Sequence, residues 1–303
     1  MSFLETTPLY LNFVMKNLLY NPINFMNDVS TDIKKDKKSQ VYNSKNKFVW
    51  ICGLPKSGTT LVEDILEILP YIKIDKSILR SFPNKYKIND TNLERYILSF
   101  PKNKFSFVKT HLEYNEKIKN GLLKNNFKII VTFRDIRDAL ISRYYHVVSD
   151  KNHWQHEVVK DLNFEEGFIK SLTEKTRKFP AKHFDEPIKY YFNWIHNWKK
   201  IEDNKNIKKI WYENYIQNPS FFIKEILKFT DFQDFKESDI EFKLKLKRNI
   251  EKNIPLIKKL KRPGKNVSTF RSGKPKQWKV LFTDKINNAF NKLLPGKIED
   301  ILN

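Results

Sequence analysis

Val49-Trp50-Ile51-Cys52-Gly53-Leu54-Pro55-Lys56-Ser57-Gly58-Thr59-Thr60, followed by the apolar-periodic run Leu61, Ile65, Leu66, Ile68 and Leu69, is the stretch that decides the fold. A β-rich run breaks at a glycine, turns through proline and glycine, and enters a pattern of helical period. Backbone N–H groups and a helix N-terminus therefore converge on one point, and that point suits a phosphate.

Gly53 and Gly58 are spaced as in the Walker A loop of nucleoside-triphosphate-binding proteins, but Thr59 stands where that loop places its lysine. The cation is Lys56, inside the loop. There it would sit beside a 5′-phosphate, and no lysine is left to span a triphosphate. The plainer alternative is a Gly-Pro turn between any strand and helix, and the loop alone does not decide between them.

Working outward, 303 residues are enough for one large α/β domain with its own core. The net charge of +22 and pI of 9.7 raise the prospect of a polyanion partner. Lysine far outnumbers arginine, however, and is spread along the chain with asparagine, which reads as a solvated lysine surface. Sharper basic clusters lie at Lys34 to Lys38 and from Lys243 to Lys265. The single cysteine, Cys52, excludes an internal disulfide and reads as a small buried residue of a reducing compartment. Glu5, Pro8, Lys16 and Pro22 interrupt the apolar patches of the N-terminus, which lacks the run of ~20 apolar residues needed for a membrane span. It also lacks the basic start and cleavage site of a secretory signal, so the expectation is a cytoplasmic protein without a membrane span.

Two regions are expected, an N-terminal helical arm and linker over 1–46 and a nucleotide-binding domain over 47–303. The domain alternates strands with helices. Phe105 to Lys109 reads as a strand ending at Thr110-His111, and Lys128 to Phe133 as a strand ending at Arg134-Asp135. Ile207 to Trp211 is a third, leading into Tyr212-Glu213 and a helix running to about Phe229. Predicted helices cover Asn115 to Lys124, the segment after Asp135, the segment capped by Asn163 with Glu166, and about Glu186 to Ile201. Further helices are expected over Ser238 to Glu251 and from Thr283 to Leu294. The pattern predicts an α/β single domain, a P-loop-like, mostly parallel sheet flanked by helices, with ligands at the carboxyl ends of the strands.

Chemistry collects at those ends: Lys56, Lys109 with His111, and Arg134 followed by Ser142. Together with Arg271-Ser272-Gly273 ahead of Trp278-Lys279, and Tyr212-Glu213 before Asn218-Pro219, these pieces make the chain resemble the sulfotransferases that use 3′-phosphoadenosine 5′-phosphosulfate (PAPS). The resemblance spans residues 47 to about 290. It implies that Lys56, Ser57, Gly58, Thr59 and Thr60 hold the 5′-phosphosulfate, and that Arg134, Ser142, Arg271, Ser272 and Gly273 hold the 3′-phosphate. Tyr212 would contact adenine, His111 would take the acceptor's proton, Lys109 would stabilise the sulfuryl oxygens, and Lys56 the departing phosphate. PAPS is then the co-substrate, 3′-phosphoadenosine 5′-phosphate (PAP) the product, and no metal is required. His153-x-x-His156 reads as a polar patch or part of the acceptor pocket.

The chain departs from the family's pattern in places. Leu61 replaces a tryptophan that stacks on adenine, Phe242 sits one residue out of register with Leu246-Lys247, and Asp284 and Asn288 break the C-terminal dimer signature. Oligomeric state stays open. The acceptor is expected to be a hydroxyl- or amine-bearing small molecule, lipid or sugar, in a pocket lined by residues 190 to 198, Tyr144-Tyr145-His146 and the stretch from Ser149 to Lys160. Core packing is the plainer reading of most aromatics in that helix. Two other functions compete: a P-loop kinase or NTPase, which Thr59 disfavours, and a basic polyanion-binding protein. Nucleic acid is not the expected partner.

Overall fold

The structure is a computed structural model, and it describes residues 48–74, 93, 97–98, 100–101, 104–175, 186–253 and 274–302. The expected arm over 1–46 and the Arg271-Ser272-Gly273 loop lie outside the described residues. In chain order the elements are β1 (Phe48–Gly53), α1 (Thr59–Ile68), β2 (Ile72–Lys73), β3 (Ser106–Thr110), α2 (Glu116–Lys124), β4 (Phe127–Phe133) and α3 (Ile136–Ser149). They continue as α4 (His156–Val159), α5 (Phe164–Thr173), α6 (Pro187–Lys199), β5 (Ile207–Trp211), α7 (Tyr212–Gln217), α8 (Pro219–Phe229), α9 (Glu237–Asn253), α10 (Trp278–Leu281) and α11 (Asp284–Leu293).

The five strands form one parallel sheet in the order β2-β3-β1-β4-β5. Alternation along the strands divides the core in two. Trp50, Cys52, Val108, Ile129, Val131 and Phe133 face one side, packing with residues of α2, α3, α5 and α6. Val49, Ile51, Phe107, Ile130 and Ile210 face the other, against α1, α8 and α9. Every residue of β4 is buried, as a central strand covered on both faces requires.

Side-chain caps set most of the predicted helix starts. Asn115, Asp135, Asn163 and Thr283 accept from backbone N–H groups of Ile118, Arg137, Glu166 and Ile286. Several features differ from the sequence reading. The helix expected after Tyr212-Glu213 and running to about Phe229 is two helices, because Pro219 starts α8 afresh with Asn218 capping Phe221 N. The two-residue strand β2 is too short for alternation to reveal, and the single turns α4 and α10 are likewise too short for a period. Among the described residues no helix is long and apolar enough to cross a membrane.

Candidate active site

Sheet register brings the chemistry to one edge. Cys52 pairs with Thr110 and Gly53 with Thr132, so His111, Arg134 and the loop carrying Lys56 leave adjacent strands at the same level. Phe133 pairs with Trp211, which adds Tyr212 to the row.

The loop is closed by its own backbone and by Ser57. Ser57 N donates to Leu54 O at 3.1 Å, Ser57 Oγ donates to the same carbonyl at 2.8 Å, and Ser57 Oγ lies 2.8 Å from Thr132 Oγ1. Ser57 is therefore placed as a strut of the loop. A Cβ on Gly53 would fall 1.9 Å from Thr132 Oγ1, so nothing larger than glycine lets β4 approach this closely. Gly58 has φ of 92° and caps α1, while a Cβ there would lie 2.9 Å from the Tyr212 ring. No side chain caps α1, which leaves the positive end of the helix dipole facing the space beside Lys56.

Lys56 itself is held at φ of 73°, a conformation that few side chains other than glycine adopt readily. Burial, followed by the charges of Arg134 and Lys109, lowers its ammonium to a pKa of about 8. An anion at this point would relieve that crowding of cations.

Arg134 is almost fully buried and spans the site. Its Nη1 donates to Lys56 O at 3.3 Å, its Nη2 to Lys274 O at 3.4 Å, and its plane lies 4.8 Å from the Tyr212 ring centre. Arg134 Nε is buried with no hydrogen-bond partner among the described residues. Asp138 accepts from the backbone N–H groups of Lys276, at 2.5 Å, and Trp278, at 3.2 Å. It anchors the C-terminal segment to α3, and Arg137 stacks 3.5 Å over the Trp278 ring. Burial raises the Asp138 carboxyl above its ordinary range. Ser142, further along α3, is half-buried.

His111 Nδ1 lies 2.5 Å from Gly53 O. A carbonyl only accepts, so Nδ1 carries the proton and Nε2 is the basic nitrogen. Lys109 is less free than the sequence implied. It is paired with the buried carboxylate of Glu63, which also binds Lys73, and it approaches Thr60 Oγ1 at 3.4 Å. Thr59 is buried with its methyl against Gly53, and Thr60 is exposed. Glu63 was missed in the sequence; its one signal was a carboxylate between apolar positions of α1.

Around this edge the expected acceptor-lining residues divide. Tyr191, Trp194 and Trp198 of α6 are buried, and their polar tips meet the carbonyls of Pro55 and Leu112. Tyr190 Oη reaches toward His111 O at 3.5 Å. His146 is lowered by burial and then by the charge of Lys56, and its Nδ1 is buried without a hydrogen-bond partner among the described residues. His153 accepts from Gln155 N, and burial and Arg143 depress it to about 3. His156 Nδ1 meets Val147 O instead, so the two histidines serve separate partners. Among the described residues no group of three or more His, Cys, Asp or Glu could hold a metal ion.

The sulfotransferase domain model matches residues 46–301. A flavonol 4′-sulfotransferase of Flaveria chlorifolia is 26% identical over 278 residues, covering 86% of this chain and 81% of the relative. Sulfotransferase 6B1 of Mus musculus is 25% identical over 257 residues, covering 83% and 76%. The crystal structure of a mouse sulfotransferase complexed with PAP superposes with a TM-score of 0.55 at 17% identity, over 83% of this chain and 84% of that one. Retinol dehydratase in a complex with retinol and PAP gives 0.52 at 18%, over 86% and 84%. At such identities these two structures show a shared fold.

Proposed function

The chain belongs to the PAPS-dependent sulfotransferase family, and from that premise we propose that it moves the sulfuryl group of PAPS to a hydroxyl or amine of a small-molecule, lipid or sugar acceptor, with His111 as general base. The observation that carries this reading is the row of strand ends. Lys56, His111 and Arg134 follow three neighbouring parallel strands, beside an uncapped helix N-terminus.

The residues present fit a 3′,5′-bisphosphorylated nucleotide. The N-terminus of α1 with Lys56 suits the 5′-phosphate, and Arg134, with its buried Nε unpaired among the described residues, suits the 3′-phosphate. Ser142 would add to the second of these, as would Arg271, Ser272 and Gly273, and Tyr212 would meet the base. PAPS supplies the sulfuryl group. The S–O bond to the phosphate breaks as the bond from sulfur to the acceptor forms, S–O for a hydroxyl and S–N for an amine, and the acceptor's proton passes to His111 Nε2. Lys56 holds positive charge at the phosphate oxygen released, and Lys109 lies at the same edge for the sulfuryl oxygens once its pairing with Glu63 is shared with them. Positioning and fixed charge would do most of the catalysis.

Calorimetric titration with PAP, ATP and a DNA oligomer ranks this reading against a kinase and a polyanion binder. PAP should bind tightest, with no dependence on Mg²⁺. Tighter binding of Mg²⁺-ATP, or of DNA, would overturn it.

A further inference from the structure

Helix α6 reaches behind both reactive loops with polar atoms. Tyr191 Oη donates to Pro55 O at 2.9 Å, and Pro55 immediately precedes Lys56. Trp194 Nε1 and Trp198 Nε1 donate to Leu112 O at 2.8 and 3.0 Å, and Leu112 immediately follows His111. Cys52 Sγ, at the end of β1, adds a third contact to that carbonyl at 3.1 Å. Residues 191, 194 and 198 fall on one stripe of the helix, and all three side chains are at most 2% exposed.

A stripe that only fills the core needs no polar tip, and phenylalanine would serve. Here each tip meets a carbonyl beside a residue of the proposed chemistry. We infer that α6 fixes the separation of the two loops, with Tyr191 a positioning residue for Lys56, and Trp194 with Trp198 positioning residues for His111. The inference rests on the roles proposed above for Lys56 and His111.

The mechanical argument is sharpest at Lys56. Its φ of 73° is costly for a side-chain-bearing residue, and it persists where surrounding contacts over-determine the backbone. The carbonyl before it is held by Tyr191 Oη and its own carbonyl by Arg134 Nη1. Removing the first contact lets the backbone relax and carries the ammonium away from the leaving phosphate. A displacement of about 1 Å in such a site costs on the order of 10²-fold in rate.

The test is a pair of double-mutant cycles built on Tyr191→Phe and Trp194→Phe. Turnover is read as PAP released from PAPS in single-turnover mode, with 2-naphthol as acceptor and with water alone, and is corrected for the folded fraction by circular dichroism. Tyr191→Phe should lower the rate about 10- to 100-fold with PAP affinity within about threefold, and the loss should vanish in a Lys56→Met background. Trp194→Phe should lose rate in the Lys56→Met background but not in His111→Ala. In the apo protein, ¹³C NMR after reductive methylation should show the Lys56 ammonium titrating higher in Tyr191→Phe than in the unsubstituted protein, where burial and the charges of Arg134 and Lys109 lower it. Arg134, Lys109 and His146, the charged and titratable groups coupled to Lys56, are unchanged in that variant. Losses that add in every background, an unmoved Lys56 titration, or a defect explained by unfolded protein would overturn the inference and leave α6 as core. A Lys56→Met enzyme with full turnover would instead overturn the role of Lys56 itself.

Discussion

His111 Nδ1 sits 2.5 Å from the carbonyl oxygen of Gly53, so the imidazole is tied to the turn that carries Lys56. This contact fixes the tautomer with the proton on Nδ1, which leaves Nε2 as the nitrogen able to take one up. His111→Ala is expected to lower kcat by about 10²–10⁴ while PAP affinity stays nearly intact. Steady-state kinetics with calorimetric PAP binding checks both halves, and loss of PAP binding in a folded mutant would remove the histidine from the proposed role.

Arg134 holds three parts of the site together through Lys56 O, Lys274 O and the Tyr212 ring, yet keeps a buried Nε unpaired among the described residues. Arg134→Ala should therefore weaken PAP far more than adenosine 5′-phosphosulfate, since only PAP offers a 3′-phosphate to a guanidinium. Equal losses, measured by competitive titration, would make Arg134 a structural tie alone.

Asp138 accepts the backbone N–H groups of Lys276 and Trp278, which start the last described segment of the chain. Asp138→Ala leaves both donors without that acceptor and is expected to cost about 2–3 kcal/mol of stability. A thermal melt together with hydrogen exchange confined to residues 274–281 would confirm it. An unchanged melting temperature would show that water or another group takes over the cap.

The sheet was legible because its strands are short apolar runs ending in polar motifs, and β5 follows the predicted bounds of Ile207 to Trp211. The placement of the candidate residues beside neighbouring strand ends was legible for the same reason, and the register puts Gly53 next to Thr132 and Cys52 next to Thr110. What stayed hidden depends on contacts distant in sequence. Glu63 on Lys109 and Tyr191 on Pro55 join residues that no local period relates. Asp138 likewise meets the backbone N–H groups of Lys276 and Trp278, which lie far along the chain from α3.

The proposed contact of Lys56 with the 5′-phosphate predicts a pH dependence of PAP binding with a definite sign. The free-protein Lys56 pKa of about 8 lies below the ordinary lysine range, and a bound phosphate raises it. Below about pH 8 the ammonium is already charged and binding takes up little proton. Above it the free protein holds neutral lysine, binding takes up about one proton, and affinity falls as pH rises. Calorimetry in two buffers of different ionisation enthalpy reads that uptake directly. A flat uptake from pH 7 to pH 9 would show that Lys56 does not meet the phosphate.

Lys56 should also act chiefly in the transition state. Negative charge grows on the bridging oxygen as the S–O bond to the leaving phosphate breaks, and a cation already in place stabilises that charge more than it stabilises bound substrate. The loop supplies the preorganisation: φ of 73° at Lys56, the Arg134 contact to its carbonyl, and the Ser57–Thr132 contact that closes the turn. Lys56→Met keeps the length and removes the charge. Its expected effect is a loss of about 10²–10³ in kcat, or ~3–4 kcal/mol, with only a modest rise in the PAP dissociation constant. An unchanged kcat with a greatly raised KM for PAPS would mean that Lys56 binds ground and transition states alike, and the leaving phosphate would then need another cation at the same edge, where Lys109 is held by Glu63.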